Sequence, residues 1–115
     1  MGKSNGLRAL ELAQILVKEI WEAIERFPKR EPLGLRAQLG EAANSIHSNI
    51  AEGYGRGTTA ERRNRLRLAR GSLEETQSDL KVALDCGYIT RKRFYRIWNL
   101  TVVLDRMIAK LMLRK

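Results

Sequence analysis

Apolar residues recur along this chain with the spacing of α-helices in four separate segments. Side chains three and four residues apart lie on one face of a helix, so this repeat predicts helices with a buried side. The segments predicted as helices cover residues 7–27, 33–54, 60–86 and 91–113. The short connections between them favour an all-α fold, an antiparallel up-down-up-down four-helix bundle.

Proline and glycine residues mark the ends of the first two predicted helices. Phe27 precedes Pro28, and a residue before proline avoids the helical region, so the first helix ends there. Glycine costs about 1 kcal/mol inside a helix. Gly53, Gly55 and Gly57 therefore predict that the second helix ends in a turn.

Threonine and glycine residues delimit the third and fourth helices. Thr58 lies three residues before Glu61, which is the pattern of a capping box at a helix start. Gly87 is predicted to occupy the position just after the third helix, where glycine is favoured. Thr90 is predicted to cap the fourth helix.

Each helix carries an apolar stripe that predicts its buried side. In the first helix the stripe comprises Leu10, Ala13, Val17, Ile20, Trp21, Ile24 and Phe27. In the second it comprises Leu35, Leu39, Ala42, Ile46, Ile50 and Gly53. In the third it comprises Leu66, Ala69, Leu73, Leu80 and Leu84. In the fourth it comprises Phe94, Ile97, Trp98, Thr101, Leu104, Ile108, Leu111 and Met112.

The first and third helices also have a second set of regularly placed residues. In the first helix, the residues that lie away from the stripe are Leu12, Ile15 and Leu16. In the third, Leu68, Glu75 and Val82 repeat every seven residues. These patterns predict helices that are buried on two sides. Because two buried sides exceed what one small bundle needs, we expect a homo-oligomer.

The composition fits one globular domain. The chain has 115 residues, of which 43% are hydrophobic, enough for one core. We expect residues 1–6 to be a disordered start and residues 7–115 to form the bundle domain. The apolar runs are too short to span a membrane. The single cysteine, Cys86, fits a cytoplasmic protein and is predicted to be a small, buried apolar residue.

Basic residues outnumber acidic ones and give a net charge of +9. Such an excess indicates an anionic partner, which is nucleic acid, an anionic membrane surface or an acidic protein. The membrane is the weakest of these, because the bundle should bury the apolar stripes itself. Arginine matches phosphate oxygens in bidentate pairs. The predicted nucleic-acid-binding residues are Arg56, Arg62, Arg63, Arg65, Arg67, Arg70, Arg91, Lys92, Arg93 and Arg96.

These basic residues fall into two groups, one within residues 56–70 and one in residues 91–96. The second group begins a helix, where positive charge opposes the helix dipole. The alternative to a binding surface is a solvated charged face that keeps the protein soluble. No aromatic residue interleaves the arginines, so neither base stacking nor strong sequence specificity is expected. Tyr54, the one aromatic residue nearby, is equally compatible with packing against the bundle end.

The sequence shows no arrangement typical of an enzyme, and we expect a non-enzymatic protein without a metal or other cofactor. His47 lacks the companion ligands of a metal site. Glu52 and Glu75 are a possible facing carboxylate pair, but the Glu-x-x-His motif of di-iron bundles is absent. We favour a structural polar network that fixes helix register, formed by Asn49, Glu52, Ser72 and Glu75.

Three segments carry a resemblance to a known family. They read FPKREPLGLRAQLGEAANSIHSNIAEGYGRGTTAE, ARGSLEE and LDCGYI. With them, residues 7–113 resemble bacterial four-helix bundle proteins that are often encoded in intervening sequences of 23S ribosomal RNA genes. A related bundle is the accessory variability determinant protein of diversity-generating retroelements, a homopentamer that partners a reverse transcriptase and nucleic acid. The resemblance implies a homopentameric, basic, non-enzymatic bundle.

Two functional hypotheses remain. The first is a homo-oligomer that binds the RNA or DNA backbone through arginine-rich faces, with weak contacts multiplied by the repetition of subunits. The alternative is an accessory protein of a diversity-generating retroelement that binds a reverse transcriptase and its nucleic acid. A direct binder should lose affinity steeply as salt is added, whereas an accessory protein should bind bare nucleic acid poorly.

Overall fold

Four α-helices joined by short connections form the structure, a computed structural model that describes residues 4–55 and 57–114. In chain order they are α1 (Asn5–Ile24), α2 (Leu35–Gly55), α3 (Thr59–Asp85) and α4 (Arg91–Met112). These residues contain no β-strand. The prediction of an all-α, four-helix chain is therefore confirmed, and each predicted helix end lies within three residues of the observed one.

Threonine hydroxyls cap α3 and α4 at the predicted positions. The Thr58 Oγ1 accepts a hydrogen bond of 3.1 Å from the backbone N–H of Glu61. The Thr90 Oγ1 accepts one of 3.2 Å from the N–H of Arg93. Each hydroxyl satisfies a donor that has no partner inside its helix, which fixes the residue at which the helix begins.

A serine cap makes α1 begin earlier than the apolar pattern predicts. The Ser4 Oγ accepts a hydrogen bond of 3.1 Å from the N–H of Leu7, so the helix starts at Asn5 rather than at Leu7. The predicted disordered start therefore divides into two parts. Residues 1–3 lie outside the described residues, whereas residues 4–6 cap and begin α1.

The third helix ends in a Schellman motif centred on Gly87. This glycine has a φ of +75°, as its predicted position after the helix requires. Its N–H donates to the carbonyl of Leu84 at 3.0 Å, and the N–H of Tyr88 donates to that of Ala83 at 2.9 Å. Cys86, predicted to be buried, is instead exposed, because it is the C-cap residue beyond the last turn of the stripe.

Replacing Gly87 with alanine is expected to lower the free energy of unfolding by about 1 kcal/mol, because a Cβ is disfavoured at positive φ. Gly71→Ala is the matched control, since Gly71 lies inside α3 with open space around its Cβ position. There alanine is expected to raise the free energy of unfolding by about 0.5–1 kcal/mol. Urea denaturation checks both signs, and a stabilising Gly87→Ala would contradict the assigned helix end.

A carboxylate that the sequence pattern does not predict, that of Glu31, caps the start of α2. The Glu31 oxygens accept hydrogen bonds from the N–H groups of Leu33 at 3.0 Å and Arg36 at 3.1 Å. The N–H groups of Leu35 and its neighbours lower the pKa of Glu31, because they favour the charged form. A carboxylate at this position also interacts favourably with the helix dipole.

The stripes predicted for α2, α3 and α4 contribute to one continuous core, whereas the buried side of α1 includes Ala9, Leu16 and Ala23, which lie outside its predicted stripe. All six stripe residues of α2 are buried. In α3 the buried spacing continues from Leu73 through Thr76 to Leu80, so a threonine occupies a core position. Its hydroxyl donates to the Ser72 carbonyl at 2.8 Å, which satisfies the polar group without leaving the helix.

Contacts between helices show which elements are neighbours. Helix α2 packs against α1 and α3, and α4 packs against the same two helices, whereas in the described chain α1 does not touch α3. Small residues allow close approach: a Cβ on Gly53 of α2 would lie 3.3 Å from the Cβ of Arg65 in α3. Between α3 and α4, the Gln77 amide donates to the Thr101 hydroxyl at 2.9 Å.

Some apolar positions are not covered by this chain. Trp21, predicted to belong to the α1 stripe, is 44% exposed, although its Nε1 donates to the Asn44 Oδ1 at 3.2 Å. The predicted second buried side of α3 is likewise exposed in the single chain, at Leu68, Glu75 and Val82. The reason is that α2 and α4 cover only the other side of α3.

No helix in the described part of the chain has the length and apolar character needed to cross a membrane.

Candidate nucleic-acid interface

Arginines flank the buried stripe of α3 on both sides. Leu66 and Ala69 face the core, and the predicted basic residues take the positions between them and solvent. On one side Arg65 faces α2, and on the other Arg63 and Arg70 face α4. The arginines therefore do not form one uniform patch, and their partners decide which of them are available to a ligand.

Two of the predicted arginines fasten α3 to α4. The Arg63 Nε donates to the main-chain carbonyl of Met112 at 2.9 Å, where the end of α4 lacks helical partners. Arg70 forms a bidentate pair with Asp105, with contacts of 2.9 Å from Nε to Oδ1 and 3.3 Å from Nη2 to Oδ2. The hydrogen bond to Asp105 raises the pKa of Arg70. These two side chains therefore stabilise the packing of α3 against α4 and are less available to a ligand.

The other arginines of this group differ in their exposure and in whether they form ion pairs. The Arg65 Nη2 lies 3.7 Å from the Glu52 Oε2 in a partly exposed pair. Arg67 is exposed and forms no ion pair with the described residues. Arg62 lines a cavity at the end of the bundle. Arg56, also predicted, lies outside the described residues. Arg67 and Arg62 are thus the members most open to a phosphate.

The second basic group surrounds a shallow depression at the start of α4. Arg91 and Lys92 are exposed, and the depression of 180 Å³ is lined by Thr90, Lys92, Arg93 and Arg96. The Arg93 Nη1 is buried without a hydrogen-bond partner in the described structure. The Arg96 Nη1 lies 3.7 Å from the Glu19 Oε1. The group therefore presents more positive charge than its one acidic neighbour offsets.

The structure does not bring the two basic groups together. Because Arg63 contacts the carbonyl of Met112, the start of α3 lies beside the end of α4. The second group lies at the opposite end of α4, which has 22 residues. At 1.5 Å per residue the outermost members of the two groups are about 30 Å apart, whereas Arg70, beside Asp105, is about 14 Å along α4 from Arg96. Any single ligand that contacts both groups must run along the length of the bundle.

The predicted polar network is present only in part. Asn49 and Ser72 are joined through Ser45, whose hydroxyl lies 2.8 Å from that of Ser72 and 3.1 Å from the Asn49 Nδ2. The Glu52 carboxylate instead pairs with Arg65, and Glu75 is exposed. Ser45 was not predicted as a member of this network, although it connects Asn49 and Ser72. It lies three residues after Ala42 and four before Asn49, and this helical spacing places it on the side of α2 that faces α3.

The buried carboxylate of α3 is Asp79 rather than Glu75. Asp79 is 8% exposed, and its Oδ2 is buried without a hydrogen-bond partner in the described structure. Burial, followed by the nearby charge of Glu75, raises the pKa of Asp79. The sequence signal was the buried spacing through Thr76, which places Asp79 beside the core and Glu75 outside it.

A cavity that the sequence did not predict lies where the start of α1 meets the end of α2. Its volume is 240 Å³, and its walls include Tyr54, Arg62 and Arg114. The same end of the bundle holds the start of α3 and the end of α4. Residues from four distant parts of the sequence form it, so no local motif signals it. Among the described residues, no three His, Cys, Asp or Glu side chains are grouped as a metal site requires.

Comparisons with known proteins agree on the fold. A family model described as 23S rRNA-intervening sequence protein matches residues 5–110. A similar solved structure is that of a protein of unknown function from the S23 ribosomal protein family of Bacteroides thetaiotaomicron. It has 18% sequence identity and a TM-score of 0.87, and the match covers 95% of this chain and 98% of that chain. No curated protein matches the sequence.

Proposed function

Because this chain belongs to the 23S rRNA-intervening sequence protein family, we propose that it is a cytoplasmic, non-enzymatic homo-oligomer that binds the sugar–phosphate backbone of RNA or DNA. The observation that carries the proposal is the set of basic side chains left without acidic partners at both ends of the bundle. Among the described residues, the ion pairs are formed by Arg65, Arg70 and Arg96, whereas Arg67, Arg91 and Lys92 are exposed and form none. Such side chains gain affinity by displacing the counterions of phosphates.

The spacing of the two basic groups favours an extended ligand. A duplex carries a phosphate every 3.4 Å along each strand. The distance of about 30 Å between the outermost members of the two groups therefore corresponds to about nine base pairs, using the helical rise for the protein and the phosphate spacing for the duplex. One chain is 44 Å long, so a strand lying along it meets both groups. The proposal thus includes a contact length of about one duplex turn per subunit.

The assembly that we propose is an antiparallel up-down-up-down bundle repeated in a homopentamer. The contact of Gly53 with Arg65 joins the end of α2 to the start of α3, and that of Arg63 with Met112 joins the start of α3 to the end of α4; both support the antiparallel order. Exposed apolar side chains support the contact between subunits, and they include Ile15, Trp21, Leu68, Val82, Tyr95 and Val103. The resemblance to a pentameric bundle is the support for five subunits. Sedimentation velocity measures the subunit number, and a concentration-independent monomer would contradict the assembly.

The decisive test reverses one available charge in each basic group. We expect Arg67→Glu combined with Lys92→Glu to weaken binding to a duplex RNA, and to reduce the slope of log affinity against log salt by about 2, since each lost phosphate contact contributes about 0.9. Fluorescence anisotropy at several salt concentrations measures both quantities. Arg63 is unsuitable for this test, because its contact with Met112 would couple binding to folding.

The matched control is Arg8→Glu combined with Lys18→Glu. Both positions are exposed on α1, and each reversal changes the charge by two units, so both double variants fall from +9 to +5. Equal losses in the two double variants would mean that net charge alone drives binding, against the proposed surface. If the wild-type protein leaves both RNA and DNA duplexes unbound at low salt, direct binding is wrong, and the role as an accessory to a reverse transcriptase becomes the better hypothesis.

A further inference from the structure

The cavity at the end of the bundle has the form of a small binding site. Its volume of 240 Å³ is below the range of about 300–1,000 Å³ that holds drug-sized ligands, so it suits one flat ring rather than a large cofactor. Ile50, Leu66 and Leu111 supply an apolar floor. A small apolar cavity with a few polar groups at its rim is the usual form of a specific ligand site.

The charges around this cavity select an anion. Arg62 and Arg114 both line it, and the described residues of its walls include no carboxylate side chain. The starts of α1 and α3 and the ends of α2 and α4 lie at this end of the bundle, so their dipoles offset one another and the two guanidinium groups supply the positive potential. A guanidinium pair beside an apolar floor therefore fits a ligand with an apolar body and a phosphate or similar group attached.

Tyr54 provides a positioned aromatic ring beside these arginines. A Cβ on Gly6 would lie only 2.6 Å from the ring Cδ2 and 2.9 Å from Cε2, so the ring edge rests against the backbone of α1. The Tyr54 hydroxyl lies 3.4 Å from the Ser4 Oγ. The residue remains 48% exposed. A ring held by its edge keeps surface available for stacking against a flat ligand.

We propose that this cavity binds one unstacked nucleobase with its phosphate, the base against Tyr54 and the apolar floor, and the phosphate between Arg62 and Arg114. The inference deepens the proposed binding of nucleic acid, on which it rests for the natural source of the ligand. It adds a base-contacting site to an interface whose other basic residues contact only phosphates. Such stacking is sequence-tolerant, because every base has an aromatic face.

The first test uses free nucleotides and does not depend on nucleic-acid binding. Adenosine monophosphate is titrated into the protein to millimolar concentration, and the backbone amide signals of Gly53 and Tyr54 are followed by NMR. We expect saturable shifts at these residues and weaker binding of adenosine, which lacks the phosphate. Arg114→Gln should reduce the preference for the phosphorylated ligand. No shift at either residue would overturn the proposal.

Tyrosine variants then locate the base. Stacking on an aromatic side chain is lost in Tyr54→Ala, which should weaken nucleotide binding about fivefold or more. Tyr54→Phe should retain the affinity. The matched control is Tyr95→Ala, which removes another exposed tyrosine from the start of α4. Equal affinities for Tyr54→Ala and Tyr95→Ala would overturn the site, and circular dichroism confirms that each variant is folded.

A second arm distinguishes a base in RNA from a free nucleotide. A duplex RNA with one bulged adenosine is compared with the fully paired duplex and with a duplex whose bulge lacks a base. Tighter binding of the adenosine bulge, lost in Tyr54→Ala, supports a base within RNA, whereas nucleotide binding without a preference for the bulge supports a free nucleotide. If duplexes bind but neither nucleotide nor bulge does, this site is wrong and the proposed function stands. If only the nucleotide binds, the proposed function is wrong and the site stands.

Discussion

Asp79→Asn is expected to raise the free energy of unfolding at neutral pH by about 1 kcal/mol, because it removes a charge that the fold buries without satisfying it. The Asp79 Oδ2 has no hydrogen-bond partner in the described structure, and the residue is almost fully buried between α3 and its neighbours. Asparagine has nearly the same shape, so the change alters charge rather than packing.

The pH dependence of this effect has a definite sign. Burial raises the pKa of Asp79 above its ordinary value of 3.8, so its ionised form is less stable in the folded chain than in the unfolded one. Below that ordinary value the side chain is protonated in both states, and the variant should have no electrostatic advantage. The advantage should grow as the pH rises through the raised pKa, and should then stay constant toward neutral pH.

Urea denaturation from pH 3 to pH 7 measures the difference in unfolding free energy between wild type and variant. Glu75→Gln is the informative companion, because Glu75 is exposed and its charge contributes to the raised pKa of Asp79. It should shift stability in the same direction by a smaller amount. A variant Asp79→Asn that is less stable at neutral pH than at acid pH, relative to wild type, would show that the carboxylate has a stabilising partner.

Leu73→Ala is expected to cost about 2–5 kcal/mol of unfolding free energy, the range for removing a buried leucine side chain. Leu73 is 1% exposed in the centre of α3, on the side that packs against α2 and α4. The surrounding helices are fixed by caps and by the Arg70–Asp105 pair, so they cannot close fully over the space. Domains of this size have a total stability of about 5–15 kcal/mol, so the loss is a large fraction.

The matched control on the same helix is Leu68→Ala. Leu68 is 47% exposed in the single chain, so the same truncation should cost much less if the chain is alone. Thermal denaturation at several protein concentrations checks both variants. If Leu68→Ala lowers the melting temperature and weakens its dependence on protein concentration, Leu68 contacts another subunit. A Leu73→Ala protein as stable as wild type would contradict its place in the core.

The helices could be predicted closely because their determinants are local. Thr58, Gly87 and Thr90 each act within one helical turn, through a hydrogen bond or a backbone angle that a few residues decide. The stripes of α2 and α4 were also predictable, because a single apolar face must be buried. The early start of α1 was not predicted because the Ser4 cap precedes the apolar repeat, and the repeat alone indicates a later start.

Which faces of each helix are buried by other helices was harder to predict than which faces are apolar. Periodicity shows that Trp21 and Leu68 lie on apolar faces, but only the arrangement of helices shows that this chain leaves them exposed. Glu75 and Asp79 illustrate the same limit. Both lie on α3 four residues apart, and a small rotation of the helix about its axis decides which one is buried.

The sequence predicts that the candidate interface is rich in arginine, but it does not predict which arginines are paired within the bundle. The excess of arginine is visible in the sequence, whereas the partners of Arg63 and Arg70 lie 49 and 35 residues away. Those contacts separate arginines that hold the bundle together from arginines that remain open. The cavity at the bundle end depends on all four helices, and no property of one segment indicates it.

The contact between Gly6 and Tyr54 also restricts how this sequence can vary. A side chain at position 6 would occupy the space of the tyrosine ring, since even a Cβ would lie 2.6 Å from it. The Tyr54 ring can keep this place only while position 6 lacks a side chain, and any other residue there would displace the ring. The two positions, 48 residues apart, are therefore coupled, and the effect of a mutation at one of them depends on the residue present at the other.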